Sequence, residues 1–195
     1  MAPQRSYPVE IVRQLDAARL ASYDPEEADR GEEDGFYGNQ HFRDLRGVAW
    51  DQVAEALIRE AALFQRFSDA DDVDDEAELY EEERGEAFLP EDDLWGLDIG
   101  VIAATLALSA MGCTTVSSCN AGGFGGQHVA AFPYIAFFLP NGRVGEVLTF
   151  AERAGVGVDA VDGGIARLFA DNDFGLHAFA KAALDHYGFG VSPGP

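Results

Sequence analysis

The chain has 195 residues, 47% of them hydrophobic, and a formal net charge of -22 at pH 7. That length and apolar content suffice to bury a core in one domain, whereas the charge repels phosphate backbones and acidic membrane surfaces, so nucleic acid is disfavoured as a partner. No run of about 18 uninterrupted apolar residues occurs and the N-terminal residues lack an apolar signal core. Neither a membrane span nor secretion is expected, and a cytoplasmic location is.

Two cysteines, Cys113 and Cys119, are too few for a secreted disulfide framework and are expected as free thiols. Lys181 is the only lysine against twelve arginines. The acidity therefore reads as a compositional bias at least as much as a device for capturing a basic protein partner.

In chain order, Val9, Val12 and Leu15 predict a short amphipathic helix over 9–20. Residues 22–42, rich in Asp, Glu and Gly and lacking an apolar period, predict a loop that contains His41. Residues 48–67 carry the clearest helical period of the N-terminal half, with Trp50, Val53, Ala54, Leu57, Ile58, Ala61 and Phe64 on one face and Asp51, Glu55, Arg59 and Glu60 on the other. The acidic stretch 68–93 does not match the twelve-residue calcium loop with its central glycine. It is read as a solvated linker or acidic helix.

Asp98 is expected to cap a helix over 99–111 that is apolar on every side and ends at Gly112. Residues 114–119, TTVSSC, predict a strand, and 120–127, NAGGFGGQ, a loop whose backbone can approach a ligand closely. Residues 133–139 predict a central strand, 143–154 a helix, and 156–160 with 165–169 a hairpin around Asp162-Gly163-Gly164. Asp173 is expected to cap a last helix over 174–187. The order α-β-β-α-β-β-α implies an α+β fold with an antiparallel or mixed four-stranded sheet and helices packed on it. The expected division is a helical, acidic region 1–94, an α+β domain 95–190 and a flexible tail 191–195.

The chemistry concentrates after the first strand. Cys119 precedes a glycine-rich loop whose main-chain N–H groups are placed to bind an anion or activate a thiol. His128, nine residues on, is its candidate partner. A catalytic pair Cys119 and His128, or a metal held by both with Cys113 or Asp98, is the chemistry this spacing allows. Cys113 and Cys119 fall on one face of a regular strand, but about 20 Å apart at strand rise, too far for one metal. No metal or cofactor is assigned. The candidate ligand-binding residues are Asp98, Ser117, Ser118, Asn120, Gly122 and Gly123. NAGGFGG is neither a dinucleotide fingerprint nor a P-loop.

The succession from Asp98 through Thr115, Ser117, Ser118, Cys119 and Gly122, followed by PYIAFF, resembles small bacterial and phage proteins with a Thr-x-x-Ser-Cys-x-Gly strand end and a Tyr-Ile-x-Phe strand. It is also similar to the Thr-Ser-Ser-Cys-Ser-Gly-Arg signature of the wybutosine-synthesis tRNA methyltransferases. The likeness covers about a quarter of the chain and implies a helix–strand–loop–strand scaffold with a small polar site. Asn120-Ala121-Gly122-Gly123 supplies no cation where that signature ends in arginine, so the likeness carries neither a tRNA substrate nor a methyl donor. Three functions remain: a binding or regulatory protein with a small-molecule pocket at the Ser-Cys loop, an enzyme using Cys119 and His128, and an acidic interaction protein of the immunity type working through 68–93.

Overall fold

A computed structural model describes residues 5–22, 25–39, 42–86, 97–125, 129–161 and 163–188. His41, His128, Asp162 and the tail 191–195 lie outside the described residues.

The fold is α+β. Six helices, α1 (Pro25–Asp34), α2 (Trp50–Asp69), α3 (Val73–Glu86), α4 (Ile102–Ala110), α5 (Val144–Ala154) and α6 (Gly175–Tyr187), accompany four strands among the described residues. The strands are β1 (Thr114–Cys119), β2 (Tyr134–Phe138), β3 (Gly157–Ala160) and β4 (Ala166–Phe169), ordered β1-β2-β4-β3 and antiparallel throughout. α4, α5, α6 and α2 share one core with the inward residues Ile135, Phe137, Ala166 and Leu168. α4 is buried along its whole length, from Ile102 to Ser109, as its all-round apolar sequence requires. On the opposite face, Phe36 and Phe42 cover Val116 and Phe138.

Several sequence expectations are corrected. Residues 9–16 are not helical: the segment runs along the free edge of β3, where Gln14 N donates to Val158 O (2.8 Å) and Val158 N to Val12 O (2.7 Å). An edge strand offers a row of unpaired backbone groups, and satisfying them outweighs a weak helical period. Only Ala17–Arg19 forms a 3-10 turn. In the predicted loop 22–42, α1 forms instead, with Pro25 at its start and Glu26 and Glu27 in the first turn, where a fixed φ and negative charge both suit a helix N-terminus.

The stripe on α2 is rotated from the expected one. The buried residues are Val53, Ala56, Leu57, Glu60, Leu63 and Phe67, while Ile58 is 72% exposed. Part of the acidic stretch is α3, which docks on α2 through Tyr80 against Phe67 and through Arg66 bonded to Glu76 and Glu83.

Two expected caps do other work. α4 begins at Ile102 because Gly100, at φ 94°, breaks any helix through 99–101. Asp98 therefore does not cap it. Asn172, not Asp173, receives Phe174 N (3.0 Å) ahead of α6.

Candidate functional site

β1 delivers its last residue, Cys119, opposite Tyr134 of β2. A bulge between Thr115 and Ser117 adds one residue to the strand and reverses its alternation. Cys113 consequently belongs to the helix-side core, and Cys119 shares the other face with Ser117, which corrects the expectation that the two thiols share a face. Ser118 takes the register of Ile135 and turns to the helix side. The pair Ser117 and Cys119 is thus brought together without Ser118.

Beyond β1 the chain turns through left-handed conformations at Ala121 (φ 57°), Gly122 (φ 73°), Phe124 (φ 52°) and Gly125 (φ 75°). Asn120, 4% exposed, is the hub of this turn. Its backbone N donates to Asp98 Oδ2 (3.1 Å), and its Nδ2 donates to Ile99 O (3.1 Å) and Gly123 O (2.7 Å). Its Oδ1 accepts from Gly122 N (3.1 Å) and its carbonyl from Gly123 N (3.1 Å). Ala121 N donates to Cys119 Sγ (3.3 Å). The four successive N–H groups from Asn120 to Gly123 are all engaged inside the protein. At these four positions no main-chain donor is left over to hold an anion.

Cys119 itself is buried. Burial pushes its thiol above the ordinary value, Asp98 adds to the rise, and the Ala121 N–H offsets only part of it. Cys113, deeper still, is raised mainly by burial. Neither thiol has the electropositive, partly exposed setting that activates a nucleophile. Among the described residues no group of three or more His, Cys, Asp or Glu is placed to hold a metal ion.

Sequence reasoning missed the partners that close over the turn. Arg5 and Tyr7, from the N-terminal arm, reach Asp173: Arg5 N donates to Oδ2 (2.9 Å) and the Tyr7 hydroxyl to Oδ1 (2.7 Å). The Arg5 guanidinium donates to Gly122 O, and Tyr7 lies 3.5 Å from Asn120 O. Burial, followed by the Asp173 carboxylate, holds the Tyr7 phenol above its usual value. A Cβ on Gly123 would stand 3.1 Å from Asp173 Oδ1, so a glycine keeps the turn and the carboxylate in contact. No local signal announces the arm, because its partners are more than 110 positions away.

Glu60 was the other omission, and here a signal existed: it is three residues from both Leu57 and Leu63, on the buried stripe. Fully buried, it accepts Gly100 N and Ile102 N at Oε1 (3.0 Å each), and its Oε2 meets His177 Nδ1 at 2.7 Å. Elsewhere, a groove of about 600 Å³ between the arm and the β3–β4 turn is lined by Leu15, Arg19, Asp159 and Gly164. It is separate from the Cys119 turn.

Comparison finds no matching family model, curated protein or solved structure. The likeness to the tRNA-enzyme signature rests on its six residues alone.

Proposed function

We propose that the protein is a binding protein whose site is the turn formed by Asp98, Ser117, Cys119, Asn120, Gly122, Gly123 and Asp173, under the arm residues Arg5 and Tyr7. The observation that carries this reading is the internal use of every N–H from Asn120 to Gly123. The acceptors of the turn, the Asp173 carboxylate and the carbonyls of Asn120 and Gly122, face the arm donors Arg5 and Tyr7, whose place a donor-bearing ligand would take. The ligand is accordingly a small donor-rich molecule, an amine or a polyol, rather than a phosphate or carboxylate, in keeping with the charge of -22. Thermal unfolding in the presence of putrescine and of ribitol tests it. One of them should raise Tm with a concentration dependence that Asp173→Asn abolishes, the unfolding free energy rising by about 2.7 kcal/mol at a hundredfold excess over Kd. Stabilisation by phosphate and by neither donor-rich probe would refute it. The enzyme reading, Cys119 as nucleophile with His128 as base, draws no support from the thiol's setting.

A second reading, an acidic interaction protein, is favoured by the order within α3. Asp74, Asp75, Glu78, Glu81 and Glu82 stand exposed on a helix fixed to α2, with Leu79 52% exposed among them. A basic protein domain is the partner that surface suits. Replacing those five carboxylates by amides should weaken salt-sensitive retention on a polylysine column more than replacing five exposed carboxylates elsewhere, while leaving the circular dichroism spectrum unchanged; an equal loss for both variants would eliminate this surface.

A further inference from the structure

Across the first turn of α4 from the Cys119 loop, a fully buried carboxylate holds a partly exposed imidazole. Glu60 Oε1 is occupied by two backbone N–H groups, and Oε2 accepts from His177 Nδ1 at 2.7 Å. Where the Glu60 carboxylate is the acceptor, Nδ1 carries the shared proton, and a neutral imidazole then holds its lone pair on Nε2. The His177 side chain keeps 20% of its surface exposed, and Nε2 is not among the buried polar atoms that lack a partner. Nε2 has no hydrogen-bond partner among the described residues.

Around this acceptor stand three partly exposed phenylalanines. Phe64 stacks on Phe124 (centroids 5.0 Å apart, 23° between planes), meets Phe174 edge-on (4.8 Å) and meets the His177 ring at 5.1 Å. Phe124 reaches this place from a left-handed backbone position, φ 52°, that large side chains rarely occupy. Its packing against both Phe64 and Phe67 holds it there. The result is an apolar aromatic surface carrying one oriented hydrogen-bond acceptor.

We propose that His177, Phe64, Phe124 and Phe174 form a second binding site, for an uncharged aromatic ligand bearing a hydroxyl or N–H donor, with Glu60 as the positioning residue that fixes the imidazole tautomer. The ligand ring packs on the phenylalanines, and its donor hydrogen-bonds to Nε2. Offset or edge-on aromatic contact supplies affinity and the lone pair supplies selection for the donor. The surrounding acidic surface excludes anionic aromatics.

The test uses the intact protein labelled with 15N, p-cresol as the probe and 4-methylanisole, which lacks the donor, as its control. The imidazole nitrogens of His177 should show a protonated Nδ1 and a bare Nε2. p-Cresol should shift the Nε2 resonance saturably, with a Kd of roughly millimolar order for so small a ligand, and 4-methylanisole should bind at least fivefold more weakly. His177→Gln, which keeps a partner for Glu60, should remove that preference. Glu60→Gln should mix the two tautomers of His177 and reduce the preference. An Nε2-protonated ring, equal binding of the two probes, or a preference that survives His177→Gln would overturn the proposal. Putrescine and ribitol should leave the His177 Nε2 resonance unshifted, so this site and the polar turn stand or fall separately.

Discussion

Cys119 carries a neutral thiol in a buried setting, and the direction of its shift fixes how it responds to pH. A thiol raised in the folded protein lends stability that is fully present below the ordinary thiol pKa of about 8.5 and is lost as pH climbs past it, since the unfolded chain ionises first. The urea midpoint should therefore fall between pH 7.5 and pH 10, and fall less in a Cys119→Ala variant. At pH 8, iodoacetamide should label Cys119 far more slowly in the native protein than in the urea-unfolded chain. Equal labelling rates would restore the nucleophile. Sequence could place this cysteine at a strand end beside glycines, because composition and turn residues are local. It could not set the thiol's state, which depends first on burial by distant elements and then on a carboxylate 21 positions earlier, nor foresee the bulge that turns Cys113 to the other face.

At the scale of elements, the glycine loop is a packing surface for α3. A Cβ on Gly125, already at φ 75°, would lie 2.0 Å from the Ala77 Cβ. Gly125→Ala should cost about 1–3 kcal/mol through strain and overpacking. Amide exchange in α3 should accelerate more than in α2, and Ala77→Gly should restore part of the loss; uniform acceleration across both helices would place the strain elsewhere. The strands and α5 were legible because their apolar periods and turn residues agree with their burial; α6 was legible in its extent but not in its buried face, which is Leu176, Phe179, Ala180 and Ala183 rather than the stripe through Ala178, Lys181 and Leu184. Residues 9–16 and 25–34 were not. The arm's conformation is decided by the open edge of β3, and α1 lacks an apolar period, being held by Ala28 and by Phe36, whose Cβ would be only 2.8 Å from one added at Gly31. Asp98 and Asp173 both carry cap-like sequence signals. Each instead serves the turn between them, which no local pattern reports.

Over the whole molecule, thirteen basic side chains face thirty-five acidic ones. Ion pairs such as Arg66 with Glu76 and Glu83, Arg167 with Asp159 and Lys181 with Asp185 occupy several of the cations. The remaining carboxylates repel one another over distances that salt screens, the Debye length falling from about 10 Å at 0.1 M to about 3 Å at 1 M. Sodium chloride should therefore raise Tm progressively, most steeply below about 0.2 M. A flat or falling Tm would mean that the carboxylates are held closer to cations than to each other.

The arm also orders events during synthesis. Arg5 bonds to Asp173 across 168 positions and Tyr7 to the same carboxylate across 166. The segment that seals the edge of β3 leaves the ribosome long before the strand or the carboxylate it joins. Contacts this distant form late, after loop closure has been compensated by nearer ones. Until β3 has emerged, residues 12–14 have no edge to join, and until Asp173 follows, Arg5 and Tyr7 have no carboxylate to bond, so this early segment is seated only after most of the sheet has been made.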